Sequence, residues 1–106
     1  MMLGAARAYT YETLDAVWSQ LASRGALDVP MRCALGLSRV HAFRVGREVA
    51  QLMCDAAGAS SIYASSPLDR LLRDAITMGQ HAVVQERMLE TVGGMLVGDD
   101  SRLPIV

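Results

Sequence analysis

The chain has 106 residues, 52% of them hydrophobic and only 5% aromatic, with 10 basic residues against 11 acidic. That balance argues against a nucleic-acid binder, and the apolar content argues against a disordered chain. No apolar run approaches the roughly 18–20 residues of a membrane span, and "MMLGAARAYTYET" lacks the charged start and apolar core of a signal peptide, so the expectation is a cytoplasmic protein of one domain.

Three helices are predicted. The first covers about Ala5 to Ser23, with Tyr11, Leu14, Val17, Trp18 and Leu21 on one face and Gly25 as its stop. The second covers Val29 to Ala57. Asp28 caps it, Pro30 fits its first turn, and Gly58 ends it. Its apolar side runs through Cys33, Leu37, Val40, Val45, Val49, Leu52, Met53 and Ala56. The third opens at "SPLD". Ser66 is a natural N-cap, Pro67 suits the first helical position, and Asp69 stands where a capping box places an acid. Its pattern of Leu71, Ala75, Met78, Ala82, Leu89 and Val92 predicts one helix reaching Val92.

The expected architecture is all-α: an antiparallel up-down bundle of three long helices over residues 1–98, with 99–106 as a C-terminal tail. Both long helices carry apolar residues on more than one side, and three helices alone leave much of that surface wet. Such a chain is a four-helix bundle lacking one helix, or its neighbours are other chains.

Cys33 and Cys54 share the second helix about 31 Å apart, at 1.5 Å per residue, too far for an intrachain disulfide. They read as small buried hydrophobes in a reducing compartment, and no Cys/His cluster suggests a metal. The seven methionines are scattered and read as fillers of core gaps. A di-iron bundle needs Glu-x-x-His pairs, but Ser38 precedes His41 by three positions and Met78 precedes His81. No nucleophile elbow and no phosphate-binding glycine loop occur. His41, among Val40, Ala42 and Phe43, reads as a hydrogen-bonded structural histidine.

The segment "SSPLDRLLRDAITMGQH" is the informative one. Asp69 and Arg73, then Arg70 and Asp74, stand at i,i+4 spacing, which suits simple ion pairing on a solvated face. Arg70, Asp74, Thr77 and His81 also share one helical face beside Gly79, an arrangement that can line a ligand pocket. Gly79 suits a place where a backbone is closely approached.

"AAGASSIYASSPLDRLLRDAITMGQH" resembles the C-terminal helical domain of the acyl-CoA dehydrogenase superfamily, and within it the branch of two-component flavin-dependent monooxygenases. The matching positions are Ala57, Gly58, Pro67, Leu68, Arg70, Arg73, Asp74 and His81. "AARAYTYETLDAVWSQL" and the region from Met31 to Asp55 resemble the helices that precede this segment. Dehydrogenases proper usually follow Arg-Asp with an Ile-Tyr-Glu-Gly-Thr-like segment, whereas this chain has "AITMGQHAVV", which favours the hydroxylase branch.

The resemblance implies a flavin, FMN or FAD, in the complete enzyme, with a flavin reductase as partner. It implies a histidine at His81 that looks across the flavin and assists deprotonation of a phenolic substrate. It implies that Arg70, Arg73 and Asp74 orient the helix and contact the cofactor or a neighbouring subunit, and that the loop Ser60 to Ser66, with Ser60 and Ser61 as cofactor contacts, approaches the flavin. The family's N-terminal helical domain and central β-domain have no counterpart in this sequence, so the chain alone is expected to bind no flavin and to be inactive. Dimer or tetramer formation through the bundle is expected. Two other readings remain: a non-catalytic helical oligomerisation module, and a fragment of a true acyl-CoA dehydrogenase.

Overall fold

The computed structural model describes residues 1–59, 66–81, 84–85 and 87–98. Four helices follow in order: α1 (Met2–Arg24), α2 (Val29–Ala57), α3 (Leu68–Met78) and α4 (Met88–Leu96). Among the described residues there is no strand, and no helix is long and apolar enough to cross a membrane. The all-α expectation holds.

Local chemistry sets the first corner. Gly25 ends α1 in the left-handed region, at φ 73°, and its N–H bonds the Leu21 carbonyl at 2.9 Å. Asp28 starts α2 from extended backbone, its carboxylate accepting the Met31 N–H at 2.9 Å. Gln20 clasps the same residue twice. Its amide donates to the carboxylate at 3.1 Å, and its carbonyl oxygen accepts the Asp28 N–H at 2.8 Å. Arg24 adds a contact at 3.3 Å. The Met31 N–H, with help from Gln20 and Arg24, holds the Asp28 carboxyl below its ordinary range. A depressed carboxyl stabilises the fold above its unfolded pKa and loses that contribution as pH falls through the folded one. The thermal midpoint is therefore expected to fall on acidification below about pH 4, and to fall less in Asp28→Asn, measured by circular dichroism from pH 6 to pH 3.

α2 is the common partner, with α1, α3 and α4 each packed on it. α1 runs antiparallel to it, with the Tyr9 ring stacked on His41 at 5.3 Å between centroids. The buried Nδ1 of His41 has no hydrogen-bond partner among the described residues, so stacking holds this ring rather than the hydrogen bond its sequence context suggests.

The core sits where α4 meets the first half of α2. Cys33, Val92 and Met95 form it, with Val29 and Leu37 at its margin. Met88, Thr91, Val92 and Met95, at i, i+3, i+4 and i+7, are the buried side of α4. Both cysteines are free and buried, as the sequence suggests. The Cys33 thiol points at the Val92 carbonyl at 3.9 Å, and the Cys54 thiol at the Leu68 carbonyl at 3.5 Å. Burial pushes the Cys33 thiol up, which keeps it protonated and inert.

Three details differ from the sequence reading. The predicted third helix is divided: α3 stops at Met78, and the chain turns through i,i+3 bonds before α4, with Gln80 N–H to Thr77 O at 3.1 Å and His81 N–H to Met78 O at 3.3 Å. Thr77 and Gly79 are weak helix formers, and the division lets α4 set Val92 against Cys33. Within α3 the half-buried side is Leu68, Leu72, Ala75 and Gly79, while Leu71 and Met78 face outward.

The third difference is the rotation of α1. Of Tyr11, Leu14, Val17, Trp18 and Leu21, only Val17 is buried, and Trp18 is 73% exposed. The side toward α2 is Ala6, Thr10, Thr13, Val17 and Gln20. Small residues let the backbones approach, and the Gln20–Asp28 clasp and Tyr9–His41 stack fix the rotation. The bulky residues at 11, 14, 18 and 21 keep the 3,4,3 spacing of a helix seam with no partner among the described residues.

The result is elongated, 51 × 25 × 18 Å, with a radius of gyration of 16.6 Å. A closed domain of this length has about 13 Å. The unburied surface expected from the sequence is present.

Candidate functional site

α3 begins as its sequence asks. Pro67 has helical backbone angles, and the Leu68 N–H bonds the Ser66 hydroxyl at 3.3 Å, so Ser66 caps the helix from one position before Pro67. One turn later the charges pair along the helix. Arg73 meets Asp69 at 3.2 Å and Arg70 meets Asp74 at 4.0 Å. All four side chains are largely exposed, so these pairs contribute little stability. The Thr77 hydroxyl turns back to the Arg73 carbonyl at 2.9 Å, which satisfies it within its own helix.

The shared face therefore holds for Arg70, Asp74 and Thr77. His81 stands beyond the helix end, exposed on the turn. Its N–H bonds the Met78 carbonyl, and its own carbonyl accepts the Val84 and Gln85 N–H groups at 3.0 and 3.1 Å. That backbone net fixes where the histidine leaves the chain. Ser60 and Ser61 lie outside the described residues.

Gly79 is the C-cap of α3, not a mid-helix residue. Its φ is −69°, and a Cβ built there meets only the Ile76 and Ala75 carbonyls at 3.5 and 3.6 Å, ordinary contacts. Among the described residues, neither strain nor close approach demands glycine here. Gly79→Ala is expected to be neutral or to stabilise by about 0.5 kcal/mol, read from urea unfolding; a loss above about 1 kcal/mol shows that something approaches this backbone.

The clefts between the helices are lined by other residues, and Arg70, Arg73, Asp74 and His81 line none of those described. Among the described residues, Arg70, Arg73 and Asp74 are exposed on α3, and the exposed His81 stands apart from them on the turn that follows. No three His, Cys, Asp or Glu side chains among the described residues come together as metal ligands.

Residues 1–86 match the family model of the acyl-CoA dehydrogenase C-terminal domain. Among characterised proteins, the chain is 34% identical over 96 residues to an indole-3-acetate monooxygenase of Pseudomonas putida, a match covering 91% of this chain and 25% of that protein. It is 29% identical over 89 residues to an indole-3-acetate monooxygenase of Acinetobacter baumannii, covering 84% of this chain and 23% of the relative. The chain thus spans about a quarter of the length of these relatives. No solved structure matches it.

Proposed function

The chain belongs to the acyl-CoA dehydrogenase C-terminal domain family, and we propose that it acts as the C-terminal helical wall of a flavin-dependent monooxygenase whose remaining domains lie outside these 106 residues. The observation that carries this reading is a match that covers about a quarter of each relative, beside an exposed Arg70–Asp74 face on α3 and an exposed His81 on the turn that follows it. A flavin bound between this wall and the missing domains supplies the oxygen chemistry. The chain's own residues do simpler work. Arg70 and Arg73, held against Asp74 and Asp69, present N–H donors along α3. His81, fixed by the turn rather than by the helix, accepts or returns a proton at its imidazole. Ser60 and Ser61 approach the cofactor in this reading.

The substrate class follows the relatives' names: an aromatic compound such as indole-3-acetate. A flavin reductase supplies reduced flavin, and the assembly works in the cytoplasm, where Cys33 and Cys54 stay reduced. The α1 seam at Tyr11, Leu14, Trp18 and Leu21 supports self-association of the bundle into dimers or tetramers.

The test is the complete polypeptide purified with a flavin reductase and NADH. Oxygen-dependent hydroxylation of indole-3-acetate is expected, and none from the 106-residue chain alone. Reduction of the flavin by an acyl-CoA, with no hydroxylation, would move the protein to the dehydrogenase branch. A complete protein with neither activity would leave the oligomerisation module.

A further inference from the structure

A second site lies behind the turn that carries His81. A cleft of about 370 Å³ opens between α2, α3 and the start of α4. Its apolar lining is Val40 and Phe43 from α2, Ala75 from α3, and Val84 from the turn. Three guanidiniums stand around it. Arg44 and Arg47 come from α2, and Arg87 comes from the N-cap of α4. The Gln80 and Gln85 side chains complete the rim, and Val84 and Gln85 are bonded to the His81 carbonyl.

We propose that this cleft binds a small organic carboxylate, its apolar body on Val40, Phe43, Ala75 and Val84 and its carboxylate among Arg44, Arg47 and Arg87. The charge argument does not need idle arginines. Arg44 and Arg47 already have partners in the chain. A guanidinium carries five N–H donors in a planar fork, so a second acceptor can share it. The first turn of α4 adds no donors to the cleft: its Met88 and Glu90 N–H groups bond the Gln85 and Arg87 carbonyls at 2.9 and 3.1 Å, and Glu90 is acidic, so the anion preference rests on the three guanidiniums. An apolar lining beside a cationic rim selects an anion with a hydrophobic body over a bare one. The volume suits a ligand of one or two rings. None of these residues is Arg70, Asp74 or His81, so the site stands whether or not the chain is part of a monooxygenase.

The experiment is calorimetric titration of the 106-residue chain with phenylacetate, with its neutral counterpart phenylacetamide, and with inorganic phosphate. Phenylacetate is expected to bind with a dissociation constant on the order of 1 mM or tighter. The amide and phosphate are each expected to bind at least about tenfold more weakly. Arg47→Gln and Arg87→Gln are each expected to weaken phenylacetate by about fivefold or more. Both side chains are exposed and sit on different elements, so loss of fold in one, seen by circular dichroism, leaves the other to decide. No binding of phenylacetate at about tenfold the expected constant overturns the proposal. So does equal binding of the amide, equal binding of phosphate, or wild-type affinity in the arginine variants.

Discussion

On the proposed function, His81→Ala in the complete polypeptide is expected to lower the rate of hydroxylation by about 10²–10⁴-fold, the range a positioned proton-transfer group commands. Little of that loss is structural. His81 is exposed, lies outside both α3 and α4, and its place on the turn is set by backbone bonds that alanine keeps, although alanine gives up one further contact that the histidine makes in the chain. Helix content and thermal midpoint are therefore expected to stay at the wild-type level, and so is flavin content. Arg70→Gln separates the two roles. It removes a donor but no proton-transfer group, so it should raise the flavin dissociation constant while changing turnover at saturating flavin by far less than His81→Ala. A His81→Ala enzyme with normal turnover would remove His81 from the chemistry.

The second large effect is on assembly. Leu14 and Trp18 occupy adjacent turns of the α1 seam and are 45% and 73% exposed. Joined to a second copy, a Trp anchor in such a seam commonly accounts for 2–4 kcal/mol, about 30- to 1,000-fold in the dissociation constant. Trp18→Ser with Leu14→Ser is expected to convert a self-associated chain to monomer at micromolar concentration, read by light scattering on a sizing column. Circular dichroism should change little, because neither side chain packs inside the monomer. A wild-type chain that is already monomeric at that concentration would contradict the self-association reading.

What the sequence revealed depended on the range of the interactions involved. α2 was legible from Val29 to Ala57 because its ends are local events: the Asp28 cap, Pro30 and Gly58. The ion pairs of α3 were legible for the same reason, since i,i+4 spacing alone sets them. The division after Met78 was not, because the apolar pattern continues across it and Gly79 keeps right-handed backbone angles, leaving no cap signature. The rotation of α1 was also hidden. Periodicity marks the bulky apolar side, but closeness of approach selected the small one, and the clasp that fixes it joins residues on two helices. On α3, spacing set Arg70, Asp74 and Thr77 on one face, while His81 departs from it with the turn. The arginine-rimmed cleft joins Arg44 and Arg87 across 43 positions, a juxtaposition only the packing of α4 on α2 creates.

The proposed function makes this elongated chain, with an α1 seam that has no partner among the described residues, one wall of a site rather than a whole site. Titrating FMN and FAD into the purified chain, with flavin fluorescence as the readout, tests that most directly. The account predicts no saturable binding at micromolar flavin, and stoichiometric binding once the remaining domains are present. Tight, one-to-one binding of either flavin to the isolated chain would contradict it.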